Sequence, residues 1–247
     1  MKRDFVTYYK QTILGPFWFF LQPMFTSGVF TLIFSRIAKI PTDGVPPLLF
    51  YLSGTIIWNY FASCLTNTST TFSANSAIFG KVYFPRLCVP ISIVLTNLLS
   101  FMIQFLLFIL IYLYYYLHGA SIHPGIYLLL TPVLLLQMAI LGMGCGILIS
   151  ALTTKYRDLT FVLGFGIQLW MYATPIVYPL SQVPEAWKSL YLLNPMAAVI
   201  ETFRYGFIGA GSLDLWQSCL SFGLSVTILA VGILLFNRVE KTFMDTI

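Results

Sequence analysis

The chain has 247 residues, of which 58% are hydrophobic, 17% aromatic and only 9% charged. Soluble domains carry about 25% charged residues, so this composition excludes a soluble enzyme, a secreted disulfide scaffold and a disordered protein. The net charge of +5 comes from basic residues that lie between apolar runs rather than on one clustered face, which also excludes a nucleic-acid-binding protein.

The apolar runs predict an all-α integral membrane protein, because they continue for about 20 residues without the alternation of barrel strands. Six transmembrane helices are expected, at 15–35, 48–68, 88–117, 124–152, 159–178 and 215–236. Nine Lys and Arg residues lie in the connections on the N-terminal side of these spans, and four lie on the opposite side. The excess of positive charge predicts that both termini are cytoplasmic.

Three segments fall outside the six-helix pattern. Residues 1–14 form an amphipathic sequence that is expected to lie as a helix on the inner leaflet. Residues 69–87 are expected to form a polar cytoplasmic loop with exposed aromatic residues, which is typical of a docking surface. Residues 175–214 alternate between prolines and apolar stretches, so short helices that dip into the outer leaflet are expected there. In this outer segment Glu201 and Arg204 are three residues apart, and we favour a structural pair over substrate binding.

Polar residues within the spans leave two interpretations open. Thr55, Asn59, Ser63 and Asn67 recur every four residues in the second span, and Ser92, Thr96, Ser100 and Gln104 do so in the third. Hydrogen bonding between helices is favoured over a hydrophilic path.

Spans one and five combine aromatic and polar residues, and aromatic faces stack against sugar rings, so these spans supply candidates for a channel lining. The alternative is that the aromatic residues pack or face lipid. The candidates are Phe20, Gln22, Thr26, Thr31, Phe165, Gln168 and Tyr172.

The sequence offers no catalytic constellation, no metal site and no nucleotide-binding loop of the form G-x-x-x-x-G-K-[ST]. No charged residue lies near the centre of a span, which argues against an ion-coupled pump. Gly142 and Gly146 form a single G-x-x-x-G, which indicates close helix packing. We therefore expect a transport protein with no enzymatic activity, no bound cofactor and no energy source of its own.

Four motifs, in order along the chain, resemble those of ABC-2-type transport permeases, and most of all the branch that exports O-antigen, capsule or teichoic-acid polymers. They are Tyr9–Trp18 with Pro23 after it, the K-V-Y-F-P-R sequence Lys81–Arg86, Thr174–Ile176, and Asn194–Met196 with Glu201–Arg204 after it.

The resemblance implies a homodimer in the bacterial inner membrane that pairs with two copies of a cytoplasmic ATPase, which binds the ATP and Mg²⁺. It implies a polysaccharide substrate on a polyprenyl-pyrophosphate lipid. Residues 1–14 would then be an interface helix, 69–87 a coupling loop and 175–214 a re-entrant segment of a single transmembrane domain spanning 1–247.

The resemblance also implies roles for individual residues. The residues implied to couple to the ATPase are Thr71, Phe72, Asn75, Ile78, Phe79, Lys81, Tyr83, Phe84 and Arg86. The residues implied to form the outer gate are Pro175, Asn194, Pro195, Glu201 and Arg204. Where the substrate enters, its pyrophosphate would meet Lys2, Arg3 or Lys10 by charge complementarity.

Other functions remain as alternatives. An ABC-2-type exporter of drugs or small lipids is the nearest. A membrane enzyme acting on polyprenyl-phosphate lipids would need clustered carboxylates or a basic cluster at one membrane face, and the inner-side acidic residues are scattered. An unassisted channel or scaffold leaves the aromatic cytoplasmic loop without a purpose.

Overall fold

The computed structural model describes residues 17–71, 87–153 and 158–243. Over those ranges the chain forms helices joined by turns, with no strand, which confirms the all-α expectation. The α-helices are α1 (Trp18–Phe30), α2 (Pro47–Ser69), α3 (Cys88–Leu117), α4 (Thr131–Thr153), α5 (Leu159–Tyr172), α6 (Glu185–Leu192), α7 (Pro195–Ile208) and α8 (Leu215–Phe243). A π-helix over Thr31–Ile37 continues α1, and 3₁₀ turns cover Ile126–Leu130 and Leu180–Gln182.

Among the described residues, five helices rather than the expected six are long and apolar enough to cross a membrane. They cover Trp18–Ile37, Pro47–Ser69, Cys88–Leu117, Ile126–Thr153 and Leu215–Arg238. The predicted fifth span, 159–178, is wrong at its C-terminal end, because α5 stops at Tyr172 after 14 residues. A proline lacks the N–H that would continue a helix and disfavours helical geometry in the residue before it, so Pro175 ends the helical run.

The centre of the fold is α2, which packs against α1, α3, α4 and α7 and is the most buried of the five candidate spans. Its contact with α4 depends on Gly142 and Gly146. A Cβ atom on Gly142 would lie 2.8 Å from the Cβ of Cys64, and one on Gly146 would lie 2.6 Å from the Cβ of Thr68. The close helix packing predicted from this glycine pair is therefore confirmed.

Two residues of the polar stripe in the second span donate hydrogen bonds to α3, one of them to Gln104 of the third-span stripe. The Asn59 side chain donates to the Gln104 side chain at 3.3 Å, and Asn67 donates to Asn97 at 3.1 Å. Thr55 and Thr96 instead donate to carbonyls one turn back in their own helices. The interhelical interpretation therefore holds for Asn59, Asn67 and Gln104, whereas Thr55 and Thr96 bond within their own helices.

The outer segment contains the short helices that were expected in 175–214. Helix α6 is largely exposed, whereas nearly every residue of α7 is buried. The first turn of α7 is capped by Asn194, and the helix ends at Gly209, whose φ of +74° favours glycine. The Gly125 N–H donates to the Gly206 carbonyl at 2.9 Å, which fixes the end of α7 beside the 3₁₀ turn Ile126–Leu130.

Candidate functional site

Arg204 lies in the middle of α7 and is 1% exposed. Its Nε donates to Ser53 Oγ at 3.3 Å, and its Nη1 donates to the Pro175 carbonyl at 2.5 Å. Its Nη2 donates to the carbonyls of Phe50 (3.3 Å) and Ile176 (2.9 Å). One guanidinium therefore joins the outer end of α2, the turn after α5 and helix α7.

The surroundings of Arg204 explain how a cation is tolerated there. The turn after α5 supplies two carbonyl oxygens as acceptors. The centre of the Phe50 ring lies 3.7 Å from the Arg204 Cζ in a cation–π contact. A Cβ on Gly54 would lie 2.8 Å from Nη2, so the absence of a side chain at this position makes room for the guanidinium.

Glu201 lies one turn before Arg204 and is 3% exposed. Its Oε1 lies 4.0 Å from Arg204 Nη1, so the expected pair forms only as a long contact. Burial raises the pKa of the Glu201 carboxyl, while Arg204 acts in the opposite direction. Burial lowers the pKa of Arg204 to about 10, so the guanidinium stays protonated at neutral pH. Neutral oxygens, more than Glu201, satisfy this cation.

Asn194 is a second junction in the outer segment. Its Oδ1 accepts from Trp170 Nε1 at 3.0 Å and from the Met196 N–H at 3.1 Å. Its Nδ2 donates to the Ala173 carbonyl at 3.2 Å and to Thr174 Oγ1 at 3.0 Å. The same side chain therefore caps α7 and holds the end of α5.

The next residue, Pro195, links α7 to the spans behind it. Its carbonyl accepts from Ser221 Oγ in α8 at 2.8 Å, and Ser221 Oγ accepts from Gln137 Nε2 in α4 at 2.6 Å. All five residues predicted for the outer gate therefore lie in one connected region, which we call the outer cluster: Pro175, Asn194, Pro195, Glu201 and Arg204.

The partners that complete the outer cluster were not predicted from the sequence. Ser53 and Phe50 lie about 150 positions before Arg204 in the chain, and the acceptors at 175 and 176 are backbone oxygens. No side-chain pattern marks such contacts. Ser221 and Gln137 were visible as polar residues inside apolar spans, which is a general signal for a hydrogen-bonded pair.

Replacing Asn194 by alanine is expected to lower the free energy of unfolding by about 2–3 kcal/mol, because a helix cap and three further hydrogen bonds are lost. The measurement is thermal unfolding in lipid nanodiscs. Asn237→Ala, at an exposed position of α8, is the matched control and should leave the transition unchanged. Equal effects of the two substitutions would contradict the role given to Asn194.

The predicted channel-lining residues lie on α1, the π-helix that continues it, and α5. None of the residues of α5 is buried; Phe165 is 64% exposed, Tyr172 is 47% exposed and Gln168 is also exposed. In α1 only Pro23 and Ser27 are buried. Gln22 is exposed, Phe20, Thr26 and Thr31 are half-buried, and Thr31 donates to the Ser27 carbonyl. The described part of a single copy therefore leaves α5 and much of α1 uncovered.

Nearly all of the residues with predicted cytoplasmic roles lie outside the part of the chain that the structure describes. The interface helix 1–14 with Lys2, Arg3 and Lys10 lies outside them, as do the coupling residues from Phe72 to Arg86. Thr71 is described; it is buried, and its hydroxyl donates to the Thr68 carbonyl at 2.7 Å. The roles of these residues stay predictions.

Residues 1–208 match the ABC-2 type transporter family, and the chain belongs to that family. It is similar to the O-antigen export system permease protein RfbA of Klebsiella pneumoniae, with 27% identity over 98% of this chain and 91% of that protein. RfbA of Myxococcus xanthus is 26% identical over 100% of this chain and 93% of its own length. The inner membrane transport permease YadH of Escherichia coli is 29% identical over 49% of this chain and 45% of its own. The resemblance seen in the motifs is thereby confirmed, and the chain is a multi-pass ABC-2 permease.

Proposed function

We propose that the chain is the membrane subunit of an ATP-driven exporter that moves a polysaccharide linked to polyprenyl pyrophosphate out of the cytoplasm. The observation that carries this proposal is the similarity to two O-antigen export permeases over nearly the whole chain. The sequence holds no nucleotide-binding loop of its own, and ABC-2 permeases work with an ATP-binding partner. ATP and Mg²⁺ belong to that partner in this proposal.

The functional unit in this proposal is a homodimer with two ATPase copies. The uncovered faces of α1 and α5 support it, because each carries polar side chains, such as Gln22 and Gln168, that need protein or water beside them in a membrane. A polymer longer than the membrane is thick cannot fit in a closed pocket. A continuous path between two copies, lined by residues of α1 and α5, meets that requirement.

The outer cluster is the proposed gate of this path. Arg204 and Asn194 tie the turn after α5 to α7, so these elements would move together rather than separately. Arg204 and Asn194 together hold the turn after α5 through four hydrogen bonds. In this proposal the turn and α7 therefore open and close as one unit. The outer ends of the two copies would separate when the polymer passes.

The cytoplasmic side is proposed to receive both energy and substrate. The excess of Lys and Arg supports a cytoplasmic location for both termini in the bacterial inner membrane. The interface helix 1–14 and the loop 69–87 would contact the ATPase, and Lys2, Arg3 and Lys10 would meet the pyrophosphate.

Replacing Phe79 by aspartate is expected to remove ATPase association, because a charge would enter an apolar docking surface. The amount of the ATPase partner that co-purifies with the chain should fall at least about tenfold. Phe79→Leu keeps the apolar character and serves as the control, and Phe84→Asp tests the second aromatic position. Full association and export in both aspartate variants would show that the loop does not couple to the ATPase.

The experiment that tests the proposed function is an ATPase assay of the co-purified complex in nanodiscs. We expect native mass spectrometry to show two permeases with two ATPases, and lipid-linked polysaccharide from the same organism to stimulate hydrolysis. A panel of small amphipathic drugs and phospholipids is the comparison. Stimulation by those compounds and not by the lipid-linked glycan would favour the drug or small-lipid exporter instead.

A further inference from the structure

A pocket of about 450 Å³ opens on the outer segment, apart from the outer cluster. It is lined by Ile40, Tyr178, Gln182, Val183, Pro184, Trp187 and Tyr191. The volume is within the range of small-molecule sites, which combine apolar and aromatic walls with a few converging polar groups. Nothing in the motif pattern assigns a role to this pocket.

The aromatic residues of this outer pocket are held in a defined arrangement. The rings of Tyr178 and Tyr191 are 6.2 Å apart at 80°, and their hydroxyls are in hydrogen-bond contact. The Tyr178 hydroxyl donates to the Tyr172 carbonyl at 3.0 Å, so Tyr191 is the donor between the two phenols. Burial and the Tyr191 hydroxyl raise the pKa of Tyr178. Trp187, by contrast, is 58% exposed.

The pocket has an uncharged described lining, although the exposed Lys39 directly precedes Ile40, and such a lining favours a neutral ligand. Among the residues that the structure describes, the lining contains no Lys, Arg, Asp or Glu. Lys188, on the same helix as Trp187, is paired with Glu185 at 2.5 Å. A phosphate group would find no free cation in the lining, and an acyl chain would leave the phenols and the Gln182 amide unused. Flat apolar faces beside neutral hydrogen-bonding groups fit a ring that has C–H faces and hydroxyl edges.

One hydrogen bond links the pocket to the C-terminal end of α5. Phe165, Gln168 and Tyr172 follow at helical spacing, and the last of them provides the carbonyl to which Tyr178 donates. In the proposed path along α5, the outer pocket would lie beyond the C-terminal end of that helix. The geometry and chemistry point to one class of occupant.

We infer that the outer pocket binds a neutral sugar residue of the exported polysaccharide, with Trp187 stacking on the ring face and Gln182 and Tyr191 bonding its hydroxyls. This inference rests on the proposed function. It gives the emerging polymer a holding site at the outer end of the path, which opposes backward sliding between transport steps.

The test is equilibrium binding of the lipid-free polysaccharide, released by mild acid from the surface of the organism that encodes the chain. The complex is placed in nanodiscs without sugar-based detergents, which would compete, and binding is followed by calorimetry. We expect wild type to bind, and Trp187→Ala and Trp187→Leu to bind about tenfold more weakly. Trp187→Phe, which keeps a flat ring, should retain most of the affinity.

Trp216→Ala is the matched control, because Trp216 is a 70% exposed tryptophan near the start of α8 that is not part of the pocket. It should bind as wild type does. No binding by wild type, or equal binding by Trp187→Leu, would overturn the inference. A loss of the dimer in Trp187→Ala would overturn it too, since the side chain would then belong to an interface between copies.

Failure of the pocket and failure of the proposed function give different results. If lipid-linked glycan stimulates the ATPase but the Trp187 variants bind released polysaccharide as wild type does, only the pocket is wrong. If the glycan does not stimulate the wild-type complex, the proposed function itself is wrong.

Discussion

Arg204→Ala is expected to lower the free energy of unfolding by at least about 3 kcal/mol and to abolish export. The substitution removes the common donor of four acceptors: Ser53 Oγ and the carbonyls of Phe50, Pro175 and Ile176. It also leaves the Glu201 carboxylate buried without its nearest cation. The measurement is thermal unfolding in nanodiscs together with the yield of monodisperse protein.

Two further variants make the Arg204 prediction specific. Arg36→Ala removes an exposed arginine at the outer end of the first span and should leave unfolding unchanged. Arg204→Lys keeps the charge but not the planar fork that reaches several acceptors, so its stability should fall between those of wild type and Arg204→Ala. An unchanged transition in Arg204→Ala would contradict the account of the outer cluster.

Gly146→Ala is expected to destabilise the protein by about 1–3 kcal/mol, which is the usual cost of overpacking. The added Cβ would lie 2.6 Å from the Cβ of Thr68 and 2.8 Å from the Leu65 carbonyl oxygen, so α2 and α4 would have to separate. The sign of this stability change is informative, because a Gly→Ala substitution inside a helix normally stabilises the protein by up to about 1 kcal/mol.

Gly223→Ala supplies the control for this packing prediction. Gly223 lies in α8, and a Cβ there would meet no atom within 4 Å. This variant should unfold at or above the wild-type temperature. If Gly146→Ala were stabilised as much as Gly223→Ala, the close contact of α2 with α4 would be wrong.

The long spans could be predicted from the sequence because bilayer thickness fixes the length of an apolar run. The bounds of α3, Cys88–Leu117, agree with the predicted span at both ends. The end of α5 was missed because the apolar sequence continues past Tyr172, whereas the helix ends there. Pro175 carried the signal for that ending, but Ile176 and Val177 extended the apolar run.

The outer cluster could be predicted only in part. Asn194 and Arg204 stood out in motifs, whereas their partners are mainly backbone oxygens whose positions depend on the tertiary fold. The outer pocket was not predicted for a similar reason. Trp187 and Tyr191 belong to an aromatic-rich stretch, but Ile40 joins them from a loop far earlier in the chain.

The most direct test of export is the sidedness of the lipid-linked polysaccharide in cells. Spheroplasts of a strain that lacks this chain, and of the same strain carrying it on a plasmid, are treated with periodate and a membrane-impermeant hydrazide before and after lysis. Labelled polymer should appear in intact spheroplasts only when the chain is present, and only after lysis when it is absent. Equal labelling of intact spheroplasts from both strains would contradict the central claim, because the polymer would then cross the membrane without this protein.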